Sequence, residues 1–386
     1  MLVNNFDKTI IIITASPLTD NIYYRIGVTY FEKSMNVYIF DCIEWVRNTD
    51  FLPNTINYTN KNNLYKISNK NDFELNFKIL KPSHLLDFIG FNSNTYFIQN
   101  ICKINNVSFI IQNLNPIPTP FTKENVLNIL TIQPIRTFQR IYQYFKRNIY
   151  NKSALNPTIA YLVGNKSLNH ITNNAITKIY TTSQSWYDLN VVSKNSIIEA
   201  EDYVLFIDDC ISNSFDFKLT NQTKIIEHVE YFKILNLFFD HFEEKFKIKI
   251  KIAAHPNGKE ITNYKKYFNK REVIFDKTAE LSINAKLILT HFSTAINYGV
   301  ILKKIIFLLN FKNLNNTYQG AILKNISKLL NCKILDIDNA NSLDAISFKQ
   351  NIDYLSYDKY INDYISNEKN INNNNQFQNL INYINK

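Results

Sequence analysis

Glycine and cysteine are scarce in this chain, since its 386 residues include only six glycines and four cysteines. Gly27 stands alone, so the G-x-G-x-x-G fingerprint of dinucleotide-binding folds is absent. The cysteines are far apart and form no C-x-x-C pair, which argues against a zinc site or a disulfide framework and favours a reducing compartment. They are Cys42, Cys102, Cys210 and Cys332.

Long hydrophobic runs are also missing. The apolar runs Ile10 to Ile13 and Ile305 to Leu309 are far too short to span a bilayer. The N-terminus, MLVNNFDK, has no basic region followed by an apolar segment, so we expect no signal peptide. We expect a cytoplasmic protein that is at most peripheral to the inner face of the plasma membrane. Its net charge of +10 favours anionic partners, such as the lipids of that membrane.

The composition favours a large folded protein. Hydrophobic residues make up 45% of the chain and aromatic residues 14%, which is enough for the cores of two domains. No compact run of Lys and Arg is interleaved with aromatic residues, so we expect no nucleic-acid partner. The even spread of Lys also fits an ordinary solvated surface.

Buried parallel strands dominate the pattern. Thr9 to Thr14 (TIIIIT) is β-branched without alternation, as expected when helices cover both faces of a sheet. The pattern predicts an α/β fold with one Rossmann-like domain at residues 1–155, a second at 156–345 and a helical, low-complexity tail at 346–386. Further predictions are strands at Phe77 to Leu80, Thr95 to Ile98 and Val107 to Ile111, and helices at Asn125 to Ile149 and Thr223 to Phe246.

The stretch from Lys247 to Asn310 organises the second predicted domain. Its first loop, Ala254 to Gly258, follows the strand Ile248 to Ala253, and its second, His291 to Ala295, follows the strand Lys286 to Thr290. Ligands of doubly wound sheets bind beyond the carboxyl ends of the strands. Both loops should therefore lie at the ligand-binding edge.

The first loop holds a candidate phosphate ligand. Pro256 cannot continue the strand, so the His255 imidazole should project from its carboxyl end. There it could donate a hydrogen bond to a phosphate or stabilise a leaving group. The alternative is a histidine that caps its own loop.

The second loop holds hydroxyl groups where a helix should begin. Ser293 and Thr294 precede an apolar helical run, and N–H groups at a helix start can bind phosphate, although plain capping is the alternative. Between the loops, Thr278 is a predicted helix cap. Glu280 either binds ribose hydroxyls or complements the helix dipole in its first turn.

A His-Pro loop followed by a Ser-Thr loop, in the second half of a two-Rossmann chain, resembles the bacterial sialyltransferases and their relatives. The resemblance covers about residues 200 to 310. It implies the GT-B fold, in which two Rossmann-like domains face a cleft. It also implies an inverting glycosyltransferase that is independent of metal ions and cofactors. The sugar transferred from the CMP donor would be sialic, pseudaminic or legionaminic acid or Kdo. The acceptor would be a glycan of a bacterial capsule or lipopolysaccharide.

The resemblance also implies roles for residues. His255 would contact the donor phosphate and assist the departure of CMP. The same site would be lined by the rest of this loop and by the second loop, through Pro256, Asn257, Gly258, Ser293 and Thr294. The family's acidic motif, D/E-D/E-G, is matched by Asp208-Asp209-Cys210 with Cys in place of Gly. Asp208 or Asp209 is therefore a candidate general base, and Asp20 in the first domain is the alternative.

Two other functions fit the same residues. One is a different GT-B enzyme, which would use a UDP-sugar or a CDP-polyol. The other is a GT-B module that binds anionic glycan or nucleic acid without turnover, which the low glycine content and the imperfect acidic motif allow.

Overall fold

The computed structural model describes most of the chain. The described residues are 6–16, 18–47, 63–90, 95, 97–118, 159–168, 176–194, 202–213, 225–367 and 375–386. The helix predicted at Asn125 to Ile149 lies outside them.

Seven strands form the first sheet, in the order β3-β2-β1-β4-β5-β6-β7. The strands are β1 (Thr9–Thr14), β2 (Asn36–Asp41), β3 (Leu64–Lys66), β4 (His84–Asp87), β5 (Ser108–Asn113), β6 (Ile159–Leu162) and β7 (Thr177–Tyr180). Every neighbouring pair is parallel. The strand order reverses between β1 and β4, as in doubly wound folds.

Six strands form the second sheet, in the order β10-β9-β8-β11-β12-β13. The strands are β8 (Tyr203–Ile207), β9 (Lys249–Ala254), β10 (Val273–Phe275), β11 (Leu287–Thr290), β12 (Ile305–Asn310) and β13 (Ile334–Asp336). All neighbours are again parallel. Here the order reverses between β8 and β11. The predicted α/β class with two parallel Rossmann-like sheets is therefore confirmed.

The helices that flank the sheets are mostly short. They are α1 (Asp20–Arg25), α2 (Val28–Phe31), α3 (Ile43–Arg47), α4 (Lys70–Leu80), α5 (Ile98–Ile104), α6 (Gln184–Ser193), α7 (His228–Phe246), α8 (Thr278–Asn284), α9 (Ile296–Ile301), α10 (Tyr318–Leu330), α11 (Tyr354–Tyr360) and α12 (Gln378–Ile384). No helix within the described ranges is both long and apolar enough to cross a bilayer.

Two predicted strands of the first sheet are wrong. Phe77 to Leu80 is the last turn of α4, and Ile98 is the first residue of α5. The FKIL run has strand-like composition, but Asn69 caps α4 by accepting from the Asp72 N–H (3.0 Å). A four-residue apolar run cannot distinguish a strand from one turn of a buried helix.

The chain divides into two compact units. The first contains the described residues up to Leu114, those from Ile159 to Thr182 and the C-terminal 375–386, and the second contains 115–118 and 183–367. β6 and β7 belong to the first sheet, so that sheet extends beyond the predicted boundary at 155. The predicted tail at 346–386 is shared between the units, and its end is helical as expected.

Each unit has its own core. In the second, the buried β8 strand packs among the aromatic side chains of α7, including Phe239 and Phe242, which are fully buried. In the first, one face of β1 packs with α12 and the other face packs with α4 and α5. Both faces of each central strand are thus covered, which explains the unbroken apolar runs.

Candidate functional site

The carboxyl edge of the second sheet brings the two predicted loops together. β8 lies between β9 and β11, so the residues after β8 are flanked by the first loop on one side and the second loop on the other. The position between β8 and β11 is also where the strand order reverses. Ligands of doubly wound sheets bind at such switch points.

Asp208 holds the first loop in place. It is buried, and its Oδ2 accepts the backbone N–H of His255 (3.1 Å) and the hydroxyl of Tyr264 (2.6 Å). Its Oδ1 accepts the N–H of Cys210 (2.9 Å), whose φ of 52° closes the turn after β8. Both carboxylate oxygens are thus occupied within the protein. We therefore interpret Asp208 as a positioning residue, because a general base needs an oxygen that the acceptor hydroxyl can reach.

Asp209 holds the second loop in place. Its Oδ2 accepts the backbone N–H of Phe292 (2.8 Å), and its Oδ1 lies 3.4 Å from the Thr290 hydroxyl. Burial raises the pKa of Asp209 to about 7, and the nearby Asp208 charge adds to this, although the hydrogen bonds from Phe292, Thr290 and Ser293 oppose it. Asp209 therefore changes its charge near neutral pH, directly beside the predicted phosphate site.

His255 caps its own loop. Its Nδ1 accepts the backbone N–H of Asn257 (3.1 Å), and Pro256 opens the short 3-10 helix Pro256–Glu260. The capping alternative is thus observed. The hydrogen bond from Asn257 also fixes the tautomer of the neutral ring, because an imidazole that accepts at Nδ1 carries its proton on Nε2. The same cap therefore makes Nε2 the ring's N–H donor.

Gly258 allows the first loop to lie close to the core. A Cβ atom at this position would lie 2.5 Å from Cε1 of Tyr264 and 3.2 Å from Phe275. Because Tyr264 is buried and donates to Asp208, its ring cannot move aside without losing that hydrogen bond. The glycine thus permits the contact that anchors the loop to the end of β8.

The second loop differs in detail from the prediction. The cap of α9 is Ala295, so Ser293 and Thr294 lie in the turn before the helix. The Ser293 hydroxyl accepts the Ala295 N–H (3.2 Å). Since α9 has only six residues, its dipole is small, and the loop's hydroxyl and N–H groups are the main phosphate donors that this segment offers.

His291 is a core residue. It is fully buried, with Nδ1 2.6 Å from the Leu309 carbonyl oxygen and Nε2 2.9 Å from the Tyr231 hydroxyl. Burial lowers its pKa to about 4, so the ring is neutral at physiological pH. It fixes the start of the second loop to β12 and α7.

Thr278 and Glu280 lie in the first turn of α8. The predicted cap is wrong, since Lys277 occupies the cap position and Thr278 is the first helical residue. Glu280 is partly buried, and its Oε2 is buried without a hydrogen-bond partner among the described residues. Because buried polar atoms are nearly always paired, this oxygen is a candidate for binding a ligand hydroxyl.

Asp20, the alternative base, belongs to the first unit. It is exposed in the first turn of α1, next to the Thr19 cap. Asp41 and Asp87, which were not predicted as site residues, end the two strands beside β1 and are buried at its carboxyl edge. Burial raises the pKa of Asp87 to about 7, against the hydrogen bonds from the N–H groups of Ile89 and Gly90. An aspartate at the end of an apolar run was the available signal.

Comparison with known proteins shows likeness in structure alone. No family model matches the chain, and no curated protein matches it. Among solved structures, MurG of Acinetobacter baumannii has a TM-score of 0.46 and 9% identity over 88% of this chain and 89% of that one. UDP-GlcNAc 2-epimerase of Methanocaldococcus jannaschii has a TM-score of 0.46 and 13% identity over 92% and 98%.

The wall teichoic acid polymerase TagF has a TM-score of 0.49 and 12% identity over 98% of this chain and 86% of that one. All three TM-scores lie below 0.5. The fold assignment therefore rests on this chain's own two sheets, and the functional argument rests on its own residues.

Proposed function

We propose that the loops after β9 and β11 bind the phosphate of a nucleotide-activated sugar and that the protein is a metal-independent GT-B glycosyltransferase. One observation carries the proposal: the consecutive residues Asp208 and Asp209 tie one loop each to the switch point of the second sheet. Donor groups from two loops thereby converge where doubly wound sheets bind their ligands. A loop pair held in place before the ligand arrives is preorganised for charge stabilisation.

The donor class comes from the resemblance of the His-Pro and Ser-Thr loops to those of sialyltransferases. We propose a CMP-activated acidic sugar as donor and a glycan of a bacterial capsule or lipopolysaccharide as acceptor. In this proposal, His255 Nε2–H and the hydroxyls of Ser293 and Thr294 hydrogen-bond to the phosphate oxygens. The buried Oε2 of Glu280, which has no hydrogen-bond partner within the described ranges, accepts from a ribose hydroxyl.

The reaction itself is a substitution at the anomeric carbon. The acceptor oxygen forms a bond to that carbon while the bond from the carbon to the phosphate oxygen breaks, and the electron pair of the broken bond stays on CMP. His255 and the loop hydroxyls stabilise the charge that develops on the departing phosphate. The proton of the acceptor hydroxyl passes to a general base.

Donor hydrolysis tests the proposal. The purified protein is incubated with CMP-sialic, CMP-pseudaminic, CMP-legionaminic and CMP-Kdo sugars, with a UDP-sugar and a CDP-polyol as alternative donors. We expect release of CMP from at least one CMP-sugar, unaffected by a chelator. Turnover of the UDP-sugar or the CDP-polyol alone would contradict the donor class, and no turnover of any donor would favour the binding module.

A matched pair of variants tests His255. Asparagine at position 255 can still cap the Asn257 N–H but lacks the Nε2 donor, whereas alanine lacks both. We expect both His255→Asn and His255→Ala to lower turnover by about a hundredfold or more, with unchanged unfolding midpoints for His255→Asn. Wild-type turnover in His255→Asn would show that the histidine only caps its loop.

A further inference from the structure

Helix α4 of the first unit is apolar on two opposite faces. Its inward face carries Phe73 and Phe77, which are buried. Its outward face carries Leu75 and Ile79, which are 61% and 66% exposed and lie one turn apart. A helix at the surface of a soluble protein normally presents polar residues on its outward face.

The neighbouring helix α5 ends in a further exposed apolar side chain. Cys102 is buried, whereas Ile104, two positions later and therefore on the opposite face, is 73% exposed. The starts of the two helices are in contact, since the ring of Phe73 lies 6.0 Å from the ring of Phe97, the residue that precedes α5. Both helices run from the carboxyl edge toward the amino edge of the first sheet.

The exposed isoleucines lie at the same end of this helix pair. Ile79 is about 9 Å beyond Phe73 along its helix axis, and Ile104 is about 10 Å beyond Phe97 along its own. The aromatic contact therefore aligns the two helices so that both isoleucines reach the amino-edge end of the layer.

Three lysines lie within two positions of these isoleucines along the chain. Lys78, Lys81 and Lys103 are exposed at the same end, and none of the three forms an ion pair with a described residue. The acidic residues of α4, Asp72 and Glu74, lie in its first half, where Asp72 completes the helix cap and Glu74 pairs with Lys70. We name Leu75, Ile79, Ile104 and these three lysines together the α4–α5 surface.

We propose that the α4–α5 surface docks on an anionic phospholipid membrane. The apolar side chains would enter the headgroup region, and the lysines would contact the lipid phosphates while their aliphatic stems lie along the apolar groups. Charge complementarity identifies this occupant, because the rim is cationic on a chain of net charge +10. The proposal is independent of the function proposed for the second unit.

Vesicle binding of the full chain tests this inference. Cosedimentation is measured with vesicles of phosphatidylcholine alone and of phosphatidylcholine with phosphatidylglycerol, at low and at high salt. We expect binding to the anionic vesicles at low salt and about tenfold weaker binding for Leu75→Ser/Ile79→Ser and for Lys78→Glu/Lys103→Glu. All four positions are exposed, so circular dichroism and unfolding midpoints should match those of the wild type.

Two control variants lie on the second unit. Leu237 is exposed on α7 and Lys324 is exposed on α10, so Leu237→Ser and Lys324→Glu remove the same side-chain types elsewhere. Both should bind anionic vesicles as the wild type does. The proposal is overturned if the wild type does not bind these vesicles, which would favour a protein partner, or if the controls weaken binding as much as the α4–α5 variants.

Discussion

Asp208 and Asp209 show how two adjacent residues can organise a site. Their side chains leave the end of β8 toward different neighbours, so each carboxylate anchors the loop that follows one flanking strand. The sequence identified both residues, but their roles depend on the order β9-β8-β11, which no local pattern encodes. Similarly, Pro256 made the position of His255 predictable, whereas the buried environment of His291 depends on α7 and β12.

The raised pKa of Asp209 predicts a pH dependence of ligand binding. Below pH 7 the carboxyl group is protonated and neutral, and above pH 7 its negative charge lies beside the phosphate site. We expect the affinity for CMP to fall about fivefold more between pH 6 and pH 8 in the wild type than in Asp209→Asn. Calorimetric titration of both proteins at both pH values measures this difference, because the comparison with Asp209→Asn removes the contribution of the ionisation of CMP itself. Equal pH dependence in the two proteins would contradict a role for the Asp209 charge.

At the scale of elements, short apolar runs mark the limit of prediction from sequence. The buried strands β1, β8, β9, β11 and β12 were predictable because both of their faces are covered. Helix α4 was missed because FKIL resembles a strand, although the Asn69-Lys70-Asn71-Asp72 cap preceded it. A cap followed by an acidic third residue was therefore the signal that could have corrected the assignment.

Gly258→Ala tests the close packing of the first loop. The added Cβ would force the Tyr264 ring away from Asp208, so we expect the free energy of unfolding to fall by about 1–3 kcal/mol. Asn257→Ala is the matched control, since Asn257 is exposed and the substitution keeps its backbone N–H. Urea denaturation measures both variants. Equal stability of Gly258→Ala and Asn257→Ala would refute the tight contact.

At the scale of the whole molecule, the C-terminal segment of the chain packs against the N-terminal strand β1 and helix α2. Phe377 and Leu380 lie in or next to α12 and pack into the core formed by β1 and α2. The Tyr161 hydroxyl of β6 donates to the Gln376 carbonyl oxygen. Such pairing of distant segments was not predictable, because the terminal sequence is rich in Asn, Tyr and Ile and resembles a low-complexity tail.

Phe377→Ala should therefore destabilise the first unit. The ring is buried against Gly27 and lies 5.5 Å from the Phe31 ring, so its loss leaves a cavity. We expect the free energy of unfolding of that unit to fall by about 3–5 kcal/mol. Tyr383→Ala, which removes an exposed ring from α12, the helix that Phe377 precedes, is the control. An unfolding midpoint for Phe377→Ala equal to that of Tyr383→Ala would show that the terminal helix adds little to the core.

The central claim is that the two loops held by Asp208 and Asp209 bind a nucleotide through its phosphate. Calorimetric titration with CMP and with cytidine, which lacks the phosphate, tests this claim most directly. We predict that the wild type binds CMP at least about tenfold more tightly than cytidine. We also predict that Ser293→Ala/Thr294→Val loses most of this preference. Equal affinity of the wild type for CMP and cytidine, or an undiminished preference in the double variant, would contradict the account.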